Sequence, residues 1–400
     1  MKTDDLATLI NRHGVDLSWQ RDFYQWMHAH PELSGEEHET AARILEKLEE
    51  FSCEVVSGIG GLGIVAIFRN GSGPCALMRA DFDALPVQEE SGEPFASVFE
   101  GKMHACGHDM HTTALLGLCA IMDAHRDRWA GTFIALFQPA EETSTGAAAM
   151  VSDGLCEIIP RPDVCFGQHI VAGPAGTVMS MPGPALAACD TITITLYGRS
   201  AHGSMPHLSI DPTFLASMIV VRLQGIVGRE VSPFEFAVVT VGSLIAGHTN
   251  NTVPETARLV LNCRFYSEAV KERVYQAIHR IVRAECEASG CEQAPDFEYS
   301  AHGELTDNSP AVFATVRPVF DAVFGDDSTD AQPWTASEDF SEIPRALGVP
   351  YLYWTVGVTP AGVDTPPVNH MPTFIPDYEP TMSATTRAGA AAVLSYLGRG

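Results

Sequence analysis

Ten consecutive residues, "MHACGHDMHT" at 103–112, hold three histidines, one cysteine and one aspartate. Such a stretch can ligate a metal, shelter a thiol or cap a helix, and it does not decide among these alone. Cys106 and His108 stand two apart, which lets a thiolate and an imidazole from one turn reach the same ion. Further donors lie where apolar runs end: Glu141 and Glu142 close "TFIALFQPAEE", His169 closes "DVCFGQHI", and Asp81 and Asp83 sit in "RADFDALP". His370 lies in the proline-bounded "VNHMP". Read as strand residues, Glu141 and Glu142 point opposite ways, so that one can ligate while the other faces a bound water. Sulfur, nitrogen and oxygen donors at several strand ends make a chemically coherent set: a metal centre with a carboxylate beside it to move protons.

Rival chemistries leave weaker marks. "GIGGLG" at 58–63 is a literal GxGxxG, but pyrophosphate binding needs a helix after the glycines, and the β-branched "IVAIFRN" follows. A glycine-rich turn between two strands fits better. No GxSxG elbow and no GxxxxGK[ST] loop occurs. With 50 acidic against 24 basic residues the formal net charge is −26, and only four scattered lysines are present, so nucleic acid and anionic membrane are poor partners. The ten cysteines form no CxxC pair and mostly sit beside apolar residues, as small buried hydrophobes do. The opening "MKTDDLATLI" carries acids where a secretory signal needs a basic region. No stretch approaches the ~18 apolar residues of a membrane helix. The expectation is a cytoplasmic protein.

The elements that must position these donors read as α/β. "LSWQRDFYQWMHAHP" has helical apolar spacing and stops at Pro31, and Ser34 to Glu37 forms a capping box ahead of "AARILEKLEEF". "GIVAIF" and "CALMRADFDALP" read as buried strands, and "TALLGLCAIMDAH" resumes a helix, so the His/Cys cluster falls in the turn that enters it. Strands alternating with helices, with polar residues at strand ends, place a site at the carboxyl edge of the sheet. Near residue 185 the pattern changes: "DTITITLYGRSAHG" alternates strictly, as a sheet with one solvated face does. A βαββαβ order follows, ending near "FEYSAHG", and predicts an inserted ferredoxin-like domain. The expected boundaries are 1–184, 185–301 and 302–400, the first and last segments forming one domain. In "SEDF", Ser337 reads as a helix cap with acids in the first turn.

In order along the chain, "RADFDALP", "MHACGHDMHT", "FQPAEET", "FGQHI", "SAHGSMPH", "NTVPE", "SEDF" and "NHMP" resemble the motifs of the metal-dependent amidohydrolases that include hippurate hydrolase, N-acyl-amino-acid hydrolases and the plant auxin-conjugate hydrolases. These belong with aminoacylases and carboxypeptidases in one larger peptidase family. The resemblance runs from about residue 16 to residue 396. It implies a zinc-exopeptidase-like catalytic domain, a mixed sheet flanked by helices, with an inserted lid and dimerisation domain. It implies two divalent ions (Zn, Mn, Ni or Co) bridged by Cys106, with His108 and Glu142 on one and His169 and His370 on the other. Glu141 would be the general base acting on a metal-bound water, and Asp83 the carboxylate behind the site. Many relatives have a histidine where this chain has Asp81 and an aspartate where it has Cys106, so Asp81 is left out of the ligand set.

The resemblance extends to the inserted domain. His202 in "SAHGSMPH" and Asn251 in "NNTVPE" match positions that reach the scissile carbonyl's developing charge, and Arg264 in "NCRFY" matches one that holds a substrate carboxylate. Some of these groups come from the neighbouring subunit in related dimers, which points to a homodimer. The expected activity is hydrolysis of an N-acyl amino acid to an amino acid and a carboxylic acid. The alternatives are a dipeptidase or carboxypeptidase, an aromatic-amine aminohydrolase using the same site, or a non-catalytic metal-dependent binding protein. "PAEETSTG" carries Thr143, Ser144 and Thr145 where the family usually has glycines, and acyl-group preference is not legible from motifs.

Overall fold

The structure is a computed structural model that describes residues 1–363 and 365–399. The chain divides into two compact units, one of Met1–Ala185, Asp307–Gln332 and Glu338–Gly400, the other of Leu186–Thr306 and Pro333–Ser337. The short run Pro333–Ser337 thus falls in the second unit although it lies within the 302–400 stretch.

The first unit is built on an eight-stranded sheet in the order Glu54–Ile59, Gly63–Asn70, Gly131–Gln138, Cys75–Asp81, Val164–Pro174, Tyr351–Thr359, Val178–Ser180, Ser328–Asp330. The sheet is mixed. Cys75–Asp81 runs parallel to both Gly131–Gln138 and Val164–Pro174, and Tyr351–Thr359 continues the parallel set, whereas Gly63–Asn70 is antiparallel to its neighbours. Cys75–Asp81 is buried along its whole length, as a parallel strand covered on both faces must be. Helices His108–Ala124 and Tyr378–Leu397 are buried on nearly every face, and the core joins their side chains to Phe133, Phe137, Phe166 and Trp354 of the sheet. The four parallel strands bring their carboxyl ends to one edge, where loops carry polar groups out of the core.

The second unit is a four-stranded antiparallel sheet in the order Ala237–Ala246, Thr256–Phe265, Ala188–Tyr197, Asp296–Gly303, with helices Pro212–Arg229 and Glu268–Ala288. In chain order this is βαββαβ with the ferredoxin-like strand arrangement. Ile192, Ile194, Leu259 and Leu261 alternate inward against Leu215, Ile219, Val274 and Ile278 of the two helices. Among the described residues no helix is long and apolar enough to cross a membrane.

Of three local expectations, one holds and two are corrected. The "GIGGLG" run is indeed a turn between two strands, with Gly58, Gly60 and Gly61 at positive φ. Ser34 and Glu37, by contrast, form no capping box. Helix His38–Leu48 is capped from outside by Glu32, whose carboxylate accepts the Glu39 and Thr40 N–H groups at 3.1 and 2.8 Å. Nor do the acids of "SEDF" occupy a first helical turn, because the next helix spans Glu342–Leu347. Glu338 and Asp339 instead accept the buried Arg79 guanidinium at 2.8 and 2.9 Å.

Candidate metal centre and active site

The turn Cys106-Gly107-His108 places two donors at the mouth of a helix. Gly107 has φ 89°, and a Cβ there would lie 2.3 Å from Ile170 Cδ1, so only glycine fits this corner. Cys106 Sγ lies 3.4 Å from His169 Nε2, and His169 Nδ1 is 2.7 Å from the Ile170 carbonyl. His169 does not end its strand, which continues to Pro174. His108 Nδ1 faces Asp83 Oδ1 at 3.0 Å, a contact that keeps a proton on Nδ1 and makes Nε2 the nitrogen to offer a metal ion. That Nε2 is buried and has no hydrogen-bond partner. Glu141 Oε2 and Glu142 Oε1 each stand 3.8 Å from it.

The two glutamates are not strand residues. The strand stops at Gln138, and Ala140 at φ 53° and Ser144 at φ 52° fold the following segment into a turn. Both carboxylates therefore face the same imidazole, and the opposite-facing geometry expected of a strand does not apply. His370, also at positive φ (71°), brings Nε2 to 3.5 Å from Glu142 Oε2. Ala140, Ser144 and His370 are the non-glycine positive-φ positions among the described residues, and each is, or adjoins, a donor-bearing segment. Donor atoms of Cys106, His108 and His169 lie within 4.8 Å of one another, as do those of Cys106, Glu142 and His370, and of His108, Glu141 and Glu142.

Charge is badly balanced here without a cation. Burial, then the neighbouring Glu338, Glu142, Asp339 and Asp81, push the Glu141 carboxyl well above its ordinary range. Burial likewise raises Glu142 to about 7, although His108 opposes this. Burial and the same glutamates raise the Cys106 thiol. Burial disfavours a charged His108, yet Asp81, Asp83 and Glu142 overcome it and raise its pKa to about 10. Burial holds His169 well below its ordinary value. A buried set of thiol, imidazoles and carboxylates with Nε2 of His108 and Oε1 of Glu142 both unpartnered is what a divalent cation satisfies, so the residues fit such an ion.

Asp81 is unsuited to ligation. His111 Nδ1 contacts its Oδ1 at 2.6 Å and Arg79 occupies its Oδ2. His111 Nε2 accepts the Ile170 N–H at 3.0 Å, which makes that ring a link between the end of strand Cys75–Asp81 and the interior of strand Val164–Pro174. Asn369, not singled out from sequence, donates from Nδ2 to the Cys106 and Ile170 carbonyls at 3.1 Å each and so anchors the segment bearing His370. Its only sequence signal was adjacency to His370.

In the second unit, His202 and Asn251 meet: the Asn251 amide is 3.2 Å from His202 Nε2, and His202 Nδ1 accepts the Ser204 N–H at 3.2 Å. Both side chains are exposed. Arg264 does not join them. Its Nε donates to Asn262 Oδ1 at 3.1 Å and its Nη1 to the Thr335 carbonyl at 2.7 Å.

Residues 77–388 match the model of peptidase family M20/M25/M40. The chain belongs to this family. It is 36% identical over 322 residues to a hippurate hydrolase of Campylobacter jejuni, covering 78% of this chain and 82% of that one. It is also 36% identical over 303 residues to an N-acyl-L-amino acid amidohydrolase of Geobacillus stearothermophilus, covering 75% and 80%. The crystal structure of the Bacillus subtilis YXEP protein, a dinuclear metal binding peptidase, superposes with a TM-score of 0.79 at 27% identity over 94% of this chain and 98% of that one. This M20 member is accordingly a hydrolase of the metal-dependent amidohydrolase kind.

Proposed function

We propose that this enzyme hydrolyses the amide bond of an N-acyl amino acid, with Cys106, His108, Glu142, His169 and His370 holding two divalent ions and Glu141 as general base. The observation that carries this reading is the convergence of five donors around the unpartnered His108 Nε2 and Glu142 Oε1, with the Glu141 carboxylate beside them. The names of the relatives, a hippurate hydrolase and an N-acyl-L-amino acid amidohydrolase, support the substrate class. Bound zinc, manganese, nickel or cobalt would polarise the amide carbonyl and acidify water.

The chain's own groups then divide the labour. Asp83 keeps the His108 proton on Nδ1 and accepts the Glu142 N–H at 2.9 Å, holding both ligands in register. Glu141, with Oε2 3.8 Å from His108 Nε2, stands beside the candidate ligands, where a carboxylate can take a proton from water and return it to the leaving nitrogen. His202, with Asn251 against it, supplies a donor for charge developing on the carbonyl oxygen. Arg264, with Nε on Asn262 Oδ1 and Nη1 on the Thr335 carbonyl, offers Nη2 to a substrate carboxylate.

In this reading the second unit carries the contact with a second copy. Ala237–Ala246 is an edge strand exposing Leu244 and Ile245, and helix Pro212–Arg229 exposes Phe214 and Val221, apolar side chains that a homodimer would cover. Ten free thiols suit the reducing cytoplasm.

Mass spectrometry of a pool of N-acyl amino acids, dipeptides and aromatic amines, incubated with manganese- or zinc-loaded protein, tests the reading. Loss of an N-acyl amino acid with wild type, and not with Glu141→Gln, is expected. Exclusive loss of dipeptides or release of ammonia would replace it, and equal behaviour of the two proteins would remove Glu141 as base.

A further inference from the structure

The loop at 32–37, "ELSGEE", joins helices Trp19–Ala29 and His38–Leu48. The Glu32 carboxylate takes the Glu39 and Thr40 N–H groups of the second helix, which leaves the Ser34 and Glu37 side chains to partners far along the chain. Ser34 Oγ donates to Asp83 Oδ2 at 2.7 Å. That oxygen also accepts the Glu142 N–H, while the other carboxylate oxygen faces His108 Nδ1. Asp83 therefore gathers three donors, and the Ser34 hydroxyl is the one not borne by a candidate ligand. Glu37 is fully buried, and its Oε1 accepts the Ala140 N–H at 2.8 Å. Ala140 sits in the left-handed region that side chains disfavour, and it immediately precedes Glu141. The loop is itself fastened to the same strand end, since the Ala84 N–H donates to the Glu32 carbonyl at 2.8 Å.

A loop that only linked two helices would have no reason to bury a carboxylate or to reach both sides of the site. We propose that Ser34 and Glu37 are positioning residues: Ser34 sets the Asp83 carboxylate that orients His108 and Glu142, and Glu37 sets the strained residue ahead of Glu141. This rests on the metal-site reading given above. Ser34 then acts on metal affinity and Glu37 on the chemical step. Loss of such an outer partner of a metal ligand typically weakens metal binding or activity about 10–100-fold.

The test is calorimetric titration of the metal-stripped full-length protein with Zn²⁺, beside kcat and KM for the best substrate and the melting temperature. Ser34→Ala is expected to weaken Zn²⁺ binding about tenfold, and Ser34→Thr, which keeps the hydroxyl, to restore it. Glu37→Asp, one methylene too short for the Ala140 N–H, is expected to lower kcat about tenfold with KM and Zn²⁺ affinity unchanged. Glu37→Gln keeps an acceptor oxygen and retains kcat. All four substitutions are small enough to leave the fold intact, which the melting temperature checks. Variants that melt lower but bind Zn²⁺ and turn over like wild type would overturn the inference. Wild-type protein that binds no Zn²⁺ would instead overturn the metal-site reading, and this inference with it.

Discussion

Asp83 shows how one carboxylate can organise a site without itself being offered to an ion. Two of its donors are the His108 imidazole and the Glu142 backbone, so its loss would disturb two candidate ligands together. Arg79 plays the comparable part on the other flank. It is 1% exposed and pairs with Asp81, Glu338 and Asp339, while its Nε donates to Gln138 Oε1 at 2.9 Å. Replacing it with methionine would leave three buried acids without their cation, and a loss of about 3–5 kcal/mol in denaturant unfolding is expected. Glu141→Gln should behave oppositely, leaving stability and metal content intact while turnover falls about 10²–10⁴-fold in a steady-state assay. Local composition made the donors visible: few stretches hold as many metal-binding residue types as 103–112, Glu141, Glu142 and His169 stand where apolar runs end, and His370 stands in a proline-bounded loop. Their supporting groups were hidden, because nothing at Arg79, His111 or Asn369 announces a partner dozens of residues away. Ser34 and Glu37 were misread for a further reason. They match a local capping pattern, and only the three-dimensional placement of Glu32 shows that the helix N–H groups are already satisfied.

At the level of elements, the parallel strands and the turns at their carboxyl ends do the positioning. Period-two alternation and apolar runs revealed the strands of both units, since burial on one face or two is written directly into residue type. The turn after Gln138 was not legible, because Ala140 and Ser144 adopt positive φ without being glycine, and Ala140 is held in part by the distant Glu37 carboxylate. Gly107 is the converse case, a corner where glycine is required. Gly107→Ala should cost about 1–2 kcal/mol for the left-handed backbone alone, with Ile170 displaced as well, and should weaken zinc binding in the same titration. The strands Ala188–Tyr197 and Asp296–Gly303 of the second unit are joined by a titratable clasp. Asp190, then Glu304, raise His302 to about 10. A pKa raised above the unfolded value of about 6.5 adds stability that is complete below that pH and is lost as pH climbs through 10. The melting-temperature deficit of His302→Gln should therefore be largest near pH 6 and vanish above pH 10.

For the molecule as a whole, 50 acidic against 24 basic residues give a net charge of −26. Glu141, Glu142 and Cys106 all have raised pKa values, which divalent ions would reverse. An ion that binds only the folded chain adds about 2.7 kcal/mol at a hundred times its Kd. Chelation should accordingly lower the melting temperature by several degrees, and zinc or manganese, but not a monovalent salt of equal ionic strength, should restore it. The division into an α/β unit and a βαββαβ unit was legible from the change of texture near residue 185. The capture of Pro333–Ser337 by the second unit was not, because a five-residue excursion leaves no periodicity to read.

The most direct test of the central claim is the zinc-to-protein ratio, by elemental mass spectrometry, of wild type and Cys106→Ala after loading and desalting. The account predicts about two ions per wild-type chain and one or none once the Cys106 thiolate is gone. Wild type without zinc, or a variant that retains the full wild-type complement, would contradict it.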